Sequence, residues 1–136
     1  MHLSENVLFL CDDDVFIAKT ELSDDILEEL EDARVNAISL KSGLHLTHQY
    51  PNIKVELPTN FIKKQPYLMW EWKHNRPDID WGYPTCINSF IFNKSYYLEL
   101  LNQIEFNHPT ILEARLNTHR DKLRPIMVGL DSLKVL

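Results

Sequence analysis

Three consecutive carboxylates, Asp12-Asp13-Asp14, close the apolar run Val7-Leu8-Phe9-Leu10-Cys11, and Val15-Phe16-Ile17 follows at once. A short apolar run of this kind reads as a buried strand that ends abruptly in charge. Like charges side by side repel, and a hard divalent cation ligated by carboxylate oxygens compensates them; Mg²⁺ or Mn²⁺ commonly brings a phosphate with it. A solvated acidic turn is the other reading of the triplet. Further along, Asp80-Trp81-Gly82-Tyr83-Pro84 sets a glycine between two aromatics and follows them with proline, which makes a stiff turn. A carboxylate there is displayed at a fixed angle, as a general base deprotonating a hydroxyl requires. Trp70 and Trp72, two apart, share one face of a strand, with Tyr67 nearby. Flat rings of this sort either stack on the C–H faces of a sugar or fill a core. His45 and His48, three apart, offer two nitrogens without a third partner, and surface or packing roles suit them as well.

The elements that must position these groups alternate between strand and helix. Ser23 caps a helix whose first turn is acidic and whose apolar stripe is Ile26, Leu27, Leu30 and Ala33; Glu28, Glu29, Glu31 and Asp32 take the solvated face. Val35 to Leu40 alternates with period two, as a strand ending at the Ser42-Gly43 turn. Pro51 and Pro58 bracket a short edge strand around Val55-Glu56-Leu57. Asn75 to Asp78 reads as a loop, and Thr85 to Phe92 as a strand. Asn93 or Ser95 caps a second helix with the stripe Tyr97, Leu100, Leu101 and Ile104. Pro109 opens a third helix capped by Asn107 or His108, with Ile111, Leu112, Arg115 and Leu116 on its apolar-leaning face and Glu113 pointing elsewhere. The tail from Arg124 to Leu136 is apolar enough to pack as a strand or to dock on a neighbour.

A chain of 136 residues, 44% hydrophobic and 25% charged, is one domain's worth, so 1–136 reads as a single α/β unit. A net charge of -6 leaves no basic footprint and argues against nucleic acid as a partner. No apolar run reaches the length of a membrane span and no charged-then-apolar leader is present, so the expected location is cytoplasmic. Cys11 and Cys86 are too few for a disulfide scaffold and lack metal-finger spacing, so both are expected as buried reduced thiols. An incomplete sheet leaves an open edge, and a homo-oligomer is a possible outcome.

The apolar strand entering Asp12-Asp13-Asp14-Val15-Phe16, the later Asp80-Trp81-Gly82-Tyr83-Pro84, and Asn107-His108-Pro109-Thr110-Ile111-Leu112-Glu113 together resemble a group of bacterial glycosyltransferases with the GT-A fold. The likeness runs from about Val7 to about Leu116. It implies a partial GT-A-like mixed sheet flanked by about three helices, the C-terminal metal and acceptor part of such an enzyme, without the nucleotide-binding half that precedes the Asp-x-Asp strand in the family. It implies a sugar moved from a nucleotide-diphosphate donor to a hydroxyl of a glycan or other acceptor, with Mn²⁺ or Mg²⁺ held by Asp12 and Asp14. Asp13, with Asp12, would meet the ribose or donor sugar. Asp80 is the implied base, with Glu113 as a second active-site carboxylate. Trp81 and Tyr83 would border the acceptor pocket, joined as substrate contacts by Trp70 and Trp72. His119 or Arg120 could reach the diphosphate. The chain departs from the family at Asn88-Ser89-Phe90, where Asp-Gly-His is usual; an asparagine takes up no proton, so a base belonging there would be lost. The alternative this departure raises is a non-catalytic remnant that binds a sugar or a protein.

Overall fold

The computed structural model describes residues 5–12, 14–16, 19, 21–43, 48–49, 53–54, 56–58 and 60–130. In chain order these form strand β1 (Asn6–Phe9), helix α1 (Asp24–Glu28) running into a 3₁₀ turn (Glu29–Glu31), and strands β2 (Val35–Ser39), β3 (His48–Gln49), β4 (Ile53–Lys54), β5 (Phe61–Lys63) and β6 (Leu68–Glu71). After 3₁₀ turns at Trp72–His74 and Asp80–Gly82 come β7 (Phe90–Asn93), α2 (Lys94–Asn102), α3 (Pro109–Thr118), a 3₁₀ turn at Arg120–Lys122, and β8 (Ile126–Gly129). Six of the strands make one mixed sheet in the order β1-β7-β2-β8-β6-β5, and β3 pairs with β4 apart from it. The fold class is α/β.

The sheet has an apolar layer on each face. Ile26, Leu27 and Leu30 of the first helical segment cover Val35, Ile38, Met69, Ile91 and Val128. On the other face α2 and α3 bring Tyr96, Tyr97, Leu100, Leu112 and Leu116 onto Trp70, Phe90, Phe92 and Met127. Local signals start the helices. The Ser23 side chain accepts from the Ile26 N–H, Asn93 from Tyr96, and His108 Nδ1 from Thr110 ahead of Pro109. Each satisfies an amide that the first helical turn cannot.

Several expectations are corrected. β1 is not a buried strand: among the described residues it pairs with β7 alone, at the end of the sheet, and Leu8 and Leu10 stay 42% and 47% exposed. A continuous apolar run marks a strand without saying whether a layer covers it. β2 is buried on both faces, and a bulge between Val35 and Ala37 interrupts the alternation expected of it. Of the short strand expected at 55–57, Val55 lies outside the described residues and Glu56 and Leu57 are not in a strand; β4 is described at Ile53–Lys54. The strand expected from Thr85 begins only at Phe90, because 85–89 is a turn. Ala33 is exposed beyond the end of the first helical segment. The buried residues of α3 are Leu112 and Leu116, while Ile111 and Arg115 face outward, so Glu113 lies next to the packed stripe. The tail supplies β8, a central strand parallel to β2.

Candidate active site

Of the described carboxylates of the triplet, Asp14 is the one with hydrogen bonds to the fold. Its Oδ2 accepts from the Cys11 N–H at 2.8 Å and from the Ser89 hydroxyl at 3.2 Å, so the turn after β1 closes on itself and faces the start of β7. Ser89 is buried and left-handed, with φ 62. Its N–H donates to Phe9 O at 2.7 Å, and its carbonyl accepts from the Leu40 N–H at 3.0 Å, which pins the ends of β1 and β2 to one point. Asn88 lies alongside, its side-chain oxygen 3.0 Å from Ser89 Oγ. Asp12 is exposed, and Asp13 lies outside the described residues.

The second stretch is held from three directions. Trp70 Nε1 donates to Trp81 O, Arg120 Nη2 to Gly82 O, and Asn36 Nδ2 to Pro84 O, each at 2.8 Å. Gly82 is required because a Cβ there would stand 2.1 Å from the Arg76 carbonyl oxygen. On this fixed turn Asp80 is half-buried; loss of water raises its carboxyl above the usual range, and the Lys41 ammonium opposes the rise. The Tyr83 hydroxyl donates to Glu113 Oε1 at 2.6 Å. Burial and the Glu113 carboxylate push that phenol up to about 12. Cys86, chiefly through burial, is pushed up to about 11. The Asn88 N–H and Lys41 resist that shift, while the charges of Glu113 and Asp80 add to it.

No family model, curated protein or solved structure matches this chain.

The fold nevertheless gathers residues far apart in sequence. Asp14 meets Ser89, whose hydroxyl also lies against Asn88; Cys86 exchanges 3.4 Å contacts with the Asn88 backbone and feels both Asp80 and Glu113; Tyr83 holds Glu113. Among the described residues the buried Trp81 Nε1 and Tyr97 Oη have no hydrogen-bond partner, and the Thr85 hydroxyl faces that of Tyr83.

Other candidates go elsewhere. Trp70, Trp72 and Trp81 are at most 2% exposed, so their rings fill the core and present no face to a sugar. They are spent on internal contacts: Trp70 meets Trp81 edge-on at 4.7 Å, and Trp72 Nε1 donates to Arg124 O. Arg120 is likewise engaged by the protein, through Gly82, Asn117 and the Trp72 ring. His45 lies outside the described residues, and so does the side chain of His48. Among the described residues no group of three or more His, Cys, Asp or Glu side chains is placed to hold a metal ion. A separate cleft of about 400 Å³ opens on the α1 side, between Lys19, Ser23, Ile26, Tyr67 and Leu130.

Sequence reasoning missed Ser89, Lys41 and Asn36. A left-handed residue announces itself only when it is glycine. Asn36, a lone amide within an apolar strand, was a readable signal of a buried polar role.

Proposed function

We propose that this chain is a glycosyl-transfer domain of GT-A type, moving a sugar from a nucleotide-diphosphate donor to an acceptor hydroxyl. The observation that carries the reading is the meeting of two of the three quoted segments, the Asp80 turn on Glu113 through Tyr83; the Asp14 carboxylate meets Ser89, in the stretch where the chain departs from the family. Ser89 adds support. Its left-handed φ of 62 falls where the resembled family carries glycine, as expected of a backbone shape kept under a changed side chain.

In this reading Asp80 takes the proton of the acceptor hydroxyl. Partial burial strengthens it as a base, and the stiff turn fixes its angle. Glu113, held by the Tyr83 hydroxyl, is the second carboxylate, placed to orient the sugar that moves. Two carboxylates suit a hard cation, which commonly completes its shell with phosphate and water, and both hydrogen bonds to Asp14 fall on one oxygen, Oδ2. Asp12 and Asp14 are the residues that would hold Mn²⁺ or Mg²⁺. When bound, the ion would neutralise charge on the departing diphosphate. Lys41 brings a positive charge to the neighbourhood of Asp80 and Cys86.

Among the described residues no helix is long and apolar enough to cross a membrane, and neither cysteine is in a disulfide. The reading sets the reaction in the cytoplasm, with self-association through the open sheet edge. Calorimetric titration with UDP and with GDP, in the presence of Mn²⁺, tests it: nucleotide binding that Asp14→Ala abolishes is expected. No binding of either nucleotide to the purified chain would leave the non-catalytic remnant. A remnant could not recognise sugar through Trp70 and Trp72, whose faces are covered.

A further inference from the structure

We infer that Arg120 is the positioning residue of the candidate site, a clamp that fixes the turn bearing Asp80 and Tyr83 against the helix bearing Glu113. The guanidinium has two ends in use. Nη2 donates to the Gly82 carbonyl, between Asp80 and Tyr83, at 2.8 Å. Nη1 donates to Asn117 Oδ1 at 2.8 Å, and Asn117 stands one helical turn beyond Glu113 on α3. Its plane lies over the Trp72 ring with Cζ 4.8 Å from the centroid, so it is braced from the core side as well. The Tyr83–Glu113 hydrogen bond is the other cross-link between the same two elements. Two cross-links fix both the spacing and the rotation of two elements, where one alone leaves a hinge. The guanidinium reaches the two acceptors from two different nitrogens of one rigid fork, a span that the single, compact ammonium nitrogen of lysine does not reproduce.

The choice of glycine at 82 fits this role. The turn packs so closely on Arg76 that no side chain is admitted, and its carbonyl is thereby presented to the guanidinium. The inference rests on the glycosyl-transfer reading only for what the geometry serves; the clamp itself is testable without a donor. Around the groups it positions, Lys41 faces Asp80; Glu113, Cys86 and the Thr85 hydroxyl face Tyr83.

The test is NMR on the full chain and on Arg120→Lys, following the side-chain carboxyl of Asp80 over the acid range and the hydroxyl proton of Tyr83 at neutral pH. A matching hydroxyl, Tyr67 donating to Glu29 at 2.5 Å on the opposite layer, serves as an internal control. In Arg120→Lys the Tyr83 hydroxyl signal is expected to broaden beyond detection and the Asp80 midpoint to move down toward 3.8, while the Tyr67 signal stays. Asn117→Ala, which removes only the helix end of the clamp, is expected to do the same more weakly. If the site signals are unchanged in either folded variant, or the Tyr67 signal disappears with them, Arg120 does not position the site and the inference is overturned. Where transfer is measurable, loosening the clamp is expected to lower kcat by about 10²-fold with little change in KM. A chain that shows the clamp in NMR yet binds no nucleotide would sink the transfer reading and leave the clamp standing.

Discussion

Asp80 stands between stability and chemistry. Burial raises its folded-state pKa, so folding favours the protonated form. The contribution to stability is fully present below the unfolded value of 3.8 and is lost as pH rises through the higher folded value, so at neutral pH the ionised carboxylate weakens the fold. Asp80→Asn is expected to raise Tm at pH 7 and to lose that advantage at pH 3. It is also expected to lower transfer by about 10²- to 10⁴-fold, the range of a general base. Thermal melts of both chains across this pH range check the sign; a variant less stable at pH 7 would show that the charge is well accommodated. The cysteines give a second residue-scale contrast. Cys86 is pushed up to about 11 from an ordinary 9.0, which leaves about a hundredfold less thiolate at any pH well below both values. Cys11 is exposed. Iodoacetamide at pH 8 is expected to modify Cys11 and to leave Cys86 almost untouched until the chain is denatured, as peptide mapping by mass spectrometry would report.

At the scale of elements, the 80–84 turn and the start of β7 carry the site, and both depend on backbone shapes that few residues tolerate. Gly82→Ala drives a methyl group into the Arg76 carbonyl, an overpacking expected to cost about 3 kcal/mol in urea unfolding and to weaken nucleotide binding with it. Ser89→Val puts a β-branched residue at φ 62 and is expected to cost about 1–3 kcal/mol; Ser89→Gly relieves the backbone while losing the bond to Asp14, and is expected to change stability by less than about 1 kcal/mol. These positions mark where sequence reading succeeded and stopped. Ser23, Asn93 and His108-Pro109 were legible as helix starts because a cap is a local matter between a side chain and an amide two or three residues on. Asp14, Asp80, Tyr83 and Glu113 stood out by residue type and by the stiffness of the turn between them. The tryptophans did not declare themselves, since a ring suits a core and a sugar equally and only the layer above it decides. From sequence His119 or Arg120 is placed to reach a ligand, because nothing local shows that a carbonyl 38 residues earlier in the chain accepts a hydrogen bond from Arg120.

For the whole molecule, the two ends of the sheet are unlike. β5 ends the sheet with Lys63, and Lys64 follows it, charges of the kind that discourage another strand from pairing. β1 ends it with Val7-Leu8-Phe9-Leu10, which carries no charge, and an apolar groove of about 330 Å³ between Val7, Phe9, Tyr97, Leu98 and Leu101 runs beside it. Paired antiparallel with a second copy about Leu8, this edge would set Leu8 against Leu8 and Val7 against Phe9, so no like charges meet within the strand. Long-range repulsion works the other way, since each copy carries a net charge of -6. Salt screens that repulsion and leaves apolar contact intact, so association is expected to strengthen with ionic strength. Light scattering coupled to gel filtration is expected to give a mass near twice 16.1 kDa, with the larger species favoured as salt is raised. Leu8→Lys, a charge at the centre of an edge where Leu8 is 42% exposed, is expected to return the monomer. A wild-type chain that stays monomeric at high salt, or a dimer indifferent to Leu8→Lys, would show that this edge does not make the contact.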